Sequence, residues 1–151
     1  MGLMGVLADS ALAGGGEVHG VITDALWAKE VAHDGLTTLD VVPTMHERKS
    51  RMADLADAFV MLPGGFGTLE EFLEAATWTQ LGVHAKPCGI LNVQGFFDPL
   101  MMLLDAAVSE RFLRPEHREM ILVHPEPVGI LDLLTTHDVP TVDKWCDRVE
   151  R

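Results

Sequence analysis

The stretch Pro63-Gly64-Gly65-Phe66-Gly67-Thr68 gathers three glycines and a hydroxyl where an apolar run gives way to a helical pattern. A strand-to-helix turn of that kind aims several backbone amides at the positive end of a helix, the arrangement that receives a phosphate. Gly65 and Gly67 can take backbone angles that other residues avoid, and the missing Cβ lets an anion come close to the amides. Thr68 adds a hydroxyl donor. The same letters also describe an ordinary glycine-rich turn before a capped helix, so spacing alone leaves both readings open.

Glu71 carries a similar ambiguity. Thr68-Leu69-Glu70-Glu71 fits a capping box, in which the carboxylate three residues after the cap turns back to the cap's amide. Glu70, Glu71 and Glu74 also suit the dipole of a helix by standing in its first turns. Against a purely structural role stands the crowding of three carboxylates beside an anion site, which opposes binding unless one of them faces a sugar or a cation.

The third group is the basic segment Met45-His46-Glu47-Arg48-Lys49-Ser50-Arg51-Met52. As a helix it puts Arg48 three after Met45 and four before Met52, on the apolar stripe. A guanidinium there cannot simply face water, and burying it unpaired is costly, so it is expected to meet an anion or a carboxylate. Arg51 follows Glu47 by four and reads as a surface pair with it. His46 reads as a structural histidine.

The elements that must position these groups follow from periodicity. A helix over 2–13 is stopped by Gly14-Gly15-Gly16, and strands follow at 18–22 and at 37–42, the second ended by Pro43. A helix over about 45–57 leads to a strand at 58–62, the glycine turn, and a helix over 68–81 with Gly82 in its C-terminal capping place. A strand at 88–93, a helix over about 99–111, a strand at 120–123 and a helix after Pro125 through Leu134 complete the pattern. Helices alternating with short, continuously apolar strands predict a doubly wound α/β fold, a parallel sheet with helices on both faces. In such sheets ligands bind beyond the carboxyl ends of strands, where the 63–68 loop falls. One domain over 1–138 and a surface tail over 139–151 are expected.

Composition narrows the function classes. The formal charge of −12 opposes binding to a nucleic-acid backbone, although Arg48, Lys49 and Arg51 make a local positive field fit for one small anion. No apolar run approaches the roughly 20 residues of a membrane span, and no secretory leader opens the chain, so we read it as cytoplasmic. Cys88 and Cys146 make neither a disulfide framework nor a metal pair, and the seven histidines show no ligand spacing. Neither a metal nor a cofactor is expected.

Taken together, Met45-His46-x-Arg48-Lys49 and Pro63-Gly64-Gly65-x-Gly67-Thr68-x-x-Glu71 resemble the paired motifs of the Lonely Guy family. The likeness continues through Thr77-Trp78-x-Gln80-Leu81-Gly82, Lys86-Pro87 and Leu91-Asn92, and Gly2-Leu3-Met4-Gly5 resembles the end of an upstream glycine motif. It implies a Rossmann-like fold whose opening strand, helix and strand would come before this start. It also implies hydrolysis of the N-glycosidic bond of cytokinin riboside 5′-monophosphates, and often of AMP, to free base and ribose 5-phosphate. Arg48 and Glu71 are the implied catalytic pair. Met45, Arg48, Lys49, Gly64, Gly65, Phe66, Gly67, Thr68, Leu69, Glu70 and Glu71 are the implied substrate-binding positions, with further contacts at Glu30 and Thr77. Such proteins are usually homodimers. The older label "lysine decarboxylase" finds no support, since no lysine stands in a recognisable pyridoxal phosphate context.

That chemistry suits the residue types. Departure of the base leaves positive charge on the ribose, which a fixed carboxylate stabilises, while an arginine holds the nucleotide or offsets charge on the leaving base. Two other readings remain: a carrier or sensor of the same fold that binds a nucleotide or molybdenum cofactor without cleaving it, and an interaction module that uses the acidic surface.

Overall fold

A computed structural model describes residues 2–28, 33, 35–137 and 139. The fold divides into two compact units, Met1–Ala56 and Asp57–Arg151. The expected tail at 139–151 and the expected contact Glu30 lie outside the described residues, save for Pro140's predecessor Val139.

In the first unit the order is α1 (Leu3–Ala13), β1 (His19–Thr23), α2 (Asp24–Trp27), β2 (Thr38–Val42) and α3 (Met45–Leu55). Gly14 ends α1 and Gly15 turns the chain at a φ of 80°, as the glycine run predicts. β1 and β2 pair in parallel, from His19 opposite Thr38 to Thr23 opposite Val42. Helix α3 packs on this pair with Ala53 buried. The four-residue α2 escapes the sequence reading. It is started by Thr23, whose buried hydroxyl accepts the Leu26 amide at 3.4 Å.

The second unit runs β3 (Phe59–Met61), α4 (Phe66–Gln80), β4 (Cys88–Leu91), a 3-10 turn (Val93–Gly95), α5 (Asp98–Ser109), α6 (Pro115–Glu119), β5 (Ile121–His124) and α7 (Pro127–Thr136). Its three strands are parallel in the order β3-β4-β5. The central strand β4 is buried at every position, which explains its unbroken apolar sequence.

Alternation along the strands divides the core. Met61, Cys88, Ile90 and Ile121 pack against Phe72 and Ala75 of α4, Phe97, and Leu100 and Leu104 of α5. Leu91 faces the other way, with Leu62 and Leu122, against Ile130 and Leu134 of α7. Gly89 permits that second contact, because a Cβ there would stand 2.8 Å from Ile130 Cδ1. Helices thus cover both faces of this sheet, as the alternation of elements predicts.

Two motif residues have plainly architectural work. Asn92 Oδ1 accepts the Phe97 amide at 2.7 Å and its Nδ2 donates to Asp98 at 2.7 Å, which ties the turn after β4 to the start of α5. Gln80 lies 3.0 Å from Nδ1 of the buried His117 and so links α4 to α6, a second short helix that the sequence reading passes over.

Candidate functional site

The glycine loop leaves β3 at its carboxyl end and opens α4, the placement expected of a ligand-binding loop in a parallel sheet. The helix starts earlier than the sequence predicts. Phe66, not Thr68, begins it; Gly65 is the cap residue, with extended φ and ψ of −100° and −150° and no side-chain cap. Leu69 N makes the first helical bond, to Gly65 O at 3.2 Å. The amides of Phe66, Gly67 and Thr68 therefore precede the helical ladder, as the first donors of a helix must.

That two-residue shift corrects one expectation. Thr68 and Glu71 are both interior to α4, so the capping box that their spacing fits is not formed there. The loop glycines do not use their freedom for the left-handed region: among the described glycines positive φ occurs at Gly15, Gly35, Gly82 and Gly95, and not at Gly64, Gly65 or Gly67. Their need is for space. A Cβ at Gly64 would collide with the Thr68 side chain, whereas at Gly65 and Gly67 it would meet nothing within 4 Å. Gly64 is glycine because Thr68 folds over it. Gly65 and Gly67 keep the ground before the amides bare.

The neighbouring side chains divide by environment. Phe66 is 94% exposed, Glu70 is exposed and Glu71 half-buried. Leu69 turns inward to the core of its unit, so a ligand would meet it through its backbone. Thr77 Oγ1 donates to Leu73 O at 2.6 Å and stands at the edge of a cavity of about 120 Å³. Leu73, Ala76, Leu104, Leu113 and Met120 are among that cavity's apolar walls.

In the first unit, Arg48 is half-buried on α3. Its Nε donates to the Val21 carbonyl of β1 at 3.0 Å, and its Nη1 reaches Met45 Sδ at 3.5 Å. The expected need for a partner is met in part by a backbone carbonyl, which orients the guanidinium without neutralising it. Lys49 beside it is half-buried and Met45 is exposed. Arg51 does not pair with Glu47. It bonds Asp40 of β2 at 2.6 Å, a residue eleven positions earlier that the packing of α3 on β2 brings alongside.

Glu47 is taken by Thr44. The threonine caps α3 by accepting the Glu47 amide at 3.1 Å, and its hydroxyl donates to the Glu47 carboxylate at 3.0 Å. The Thr-x-x-Glu spacing of this cap stands in the sequence, but the sequence reading gives Glu47 only the i, i+4 pair with Arg51.

Between α4 and β4, His84 accepts the Lys86 amide on Nδ1 at 3.3 Å, and its ring stacks on Phe59 and meets Trp78 edge-on. Burial, and then the charge of Lys86, hold its pKa below the usual imidazole value. The Cys88 thiol is pushed up by burial, offset in part by a hydrogen bond with Thr79, and is an inert core group.

A family profile described as "Possible lysine decarboxylase" matches residues 4–134. A probable cytokinin riboside 5′-monophosphate phosphoribohydrolase of Oryza sativa subsp. japonica is 46% identical over 134 residues, which are 89% of this chain and 59% of that protein. A second rice protein named for the same activity is 49% identical over 83% of this chain and 52% of its own length. A cytokinin riboside 5′-monophosphate phosphoribohydrolase of Rhodococcoides fascians is 50% identical over 87% of this chain and 67% of its own length. The chain thus spans between about half and two-thirds of these relatives. With both motif segments inside the matched residues, the chain belongs to the Lonely Guy family, whose profile keeps the older lysine decarboxylase description.

Proposed function

We propose that this protein is a nucleotide phosphoribohydrolase, which cuts the N-glycosidic bond of a cytokinin riboside 5′-monophosphate or of AMP. Water adds across the bond between the anomeric carbon and the base nitrogen: oxygen joins the sugar, a proton joins the base, and ribose 5-phosphate and free base leave. The observation that carries the proposal is the start of α4, where unladdered amides face ground that Gly65 and Gly67 keep bare, inside a motif shared with relatives named for this activity.

In this reading the 5′-phosphate binds at the amides of Phe66, Gly67 and Thr68, and Lys49 supplies further positive charge. The phosphate is a handle, remote from the breaking bond, whose binding places the sugar. Glu71 stabilises the positive charge that develops on the ribose as the base departs, and orients the attacking water or the sugar hydroxyls. Arg48 stays charged at neutral pH and is a poor proton donor; it holds the nucleotide and offsets charge on the leaving base. Met45, Glu30 and Thr77 are proposed as further contacts. The ligand is a free nucleotide, because the net charge of −12 disfavours a polyanion. The working form is proposed to be a cytoplasmic homodimer. No described helix is long and apolar enough to cross a membrane.

The test is a product assay. AMP and isopentenyladenosine monophosphate are expected to yield free base and ribose 5-phosphate, with adenosine at least about a hundredfold slower because it lacks the handle. Equal rates for AMP and adenosine would refute the phosphate site. Tight binding of both monophosphates without release of base would turn the proposal into that of a carrier.

A further inference from the structure

Resting on the nucleotide site just proposed, we infer that Asp40 is a positioning residue for the reaction: through Arg51 it fixes the rotation of α3 and so holds the Arg48 guanidinium where the nucleotide binds. The strand register brings the two arginines to one place. Val21 and Asp40 stand directly opposite each other where β1 and β2 pair. Arg48 donates to the Val21 carbonyl at 3.0 Å, and Arg51 donates to the Asp40 carboxylate at 2.6 Å. Two arginines of α3 thus grip one rung of the parallel ladder, one through main chain and one through a side chain.

Spacing makes the pair a clamp. Residues three apart are neighbours on one helix face, so Arg51 follows Arg48 by one turn along α3, which packs on both strands. A single hydrogen bond, from Arg48 to β1, sets a distance and leaves the helix free to roll about it. The second, to the adjacent strand, removes that rotation. Arg51 is available for it because Glu47, four residues earlier, is taken by the Thr44 cap.

Magnitudes separate this role from stability. The Arg51 side chain is 47% exposed and that of Asp40 37%, and an ion pair so open to water contributes little to folding. Displacing a positioning group by about 1 Å, in contrast, costs a reaction up to about a hundredfold. Signs separate it from a field effect. Asp40→Asn removes a negative charge beside the basic turn of α3, so the field alone draws an anionic nucleotide in more tightly. A loosened α3 does the opposite.

The test is made on the full chain with AMP. Asp40→Asn is expected to raise the Kd for AMP about tenfold and to lower kcat/KM at least as much, while the thermal midpoint stays within about 3 °C. Asp40→Glu should recover part of the binding, because it keeps a charged acceptor. In an Arg48→Ala background, Asp40→Asn should add no further loss of AMP binding, since Asp40 acts through Arg48. Tighter or unchanged binding of AMP by Asp40→Asn would overturn the inference. The same loss in both backgrounds would overturn it as well, and so would unfolding of Asp40→Asn, since the pair would then be structural. Wild-type protein that neither binds AMP nor releases base would instead remove the nucleotide site itself, and this inference with it.

Discussion

Two helices begin near the same signature, Thr-x-x-Glu, and use it differently. At α3 the pattern Thr44 to Glu47 is a working cap, with the threonine accepting the Glu47 amide and donating to its carboxylate. At α4 the pattern Thr68 to Glu71 lies inside the helix, because the turn Pro63-Gly64-Gly65 lets the helix start at Phe66. Pro43, just before Thr44, holds the chain extended and favours a start at that threonine. At α4 Gly64 leaves room for Thr68 to fold over it, and Gly65 takes the cap position with no side chain to offer. One helix closes its own end with a side chain. The other has no side-chain cap, which suits the phosphate site proposed above.

The comparison can be broken most decisively at Glu71. If its carboxylate serves the reaction, Glu71→Gln should lower turnover of AMP about a hundredfold or more. Stability should change by no more than about 1 kcal/mol in thermal or chemical unfolding. Unfolding of the variant would return Glu71 to a structural role and erase the contrast with Glu47.

A smaller effect sharpens the contrast between the threonines. Thr44→Ala should cost about 1 kcal/mol through loss of the cap. Thr68→Ala should cost less than half of that while weakening nucleotide binding. Equal losses of stability would mean that Thr68 caps α4 after all. Chemical denaturation of the two variants, with and without AMP, reads both quantities.

The smallest effect concerns the far end of α4. His84 accepts the Lys86 amide on Nδ1, so its neutral ring carries the proton on Nε2, and protonation of Nδ1 would set two donors face to face. Its folded pKa is depressed, first by burial and then by Lys86. The sign follows: the unfolded chain binds this proton more readily, so stability is at its full value above the unfolded pKa of about 6.5. It falls as pH drops below that and levels off once the folded pKa is passed. Thermal midpoints of wild type and His84→Gln should converge as pH is lowered from 7.5 to about 5. Parallel curves would show that another group sets the dependence.

Much of the fold was legible because it rests on neighbours in sequence. The alternation of helix and strand predicted parallel pairing. The unbroken apolar run at β4 predicted burial on both faces, and Gly14-Gly15-Gly16 and Gly82 marked helix ends through backbone freedom alone. The short helices α2 and α6 were missed because four or five residues make too few periods to register. The paired motifs around Arg48 and Glu71 were legible as letters, and they led to the family.

Contacts between distant residues belong to the tertiary structure. Arg51 had an acceptable partner one helical turn away, yet Asp40 takes it, because β2 lies beside α3. Arg48 is tethered by a carbonyl of β1, from a residue 27 positions earlier. At the start of α4 Thr68 folds over Gly64, a packing contact that propensity does not encode. Local pattern determined which elements form and in what order. Close approach of segments separated along the chain decided which donor meets which acceptor, since only there is an alternative partner excluded by volume.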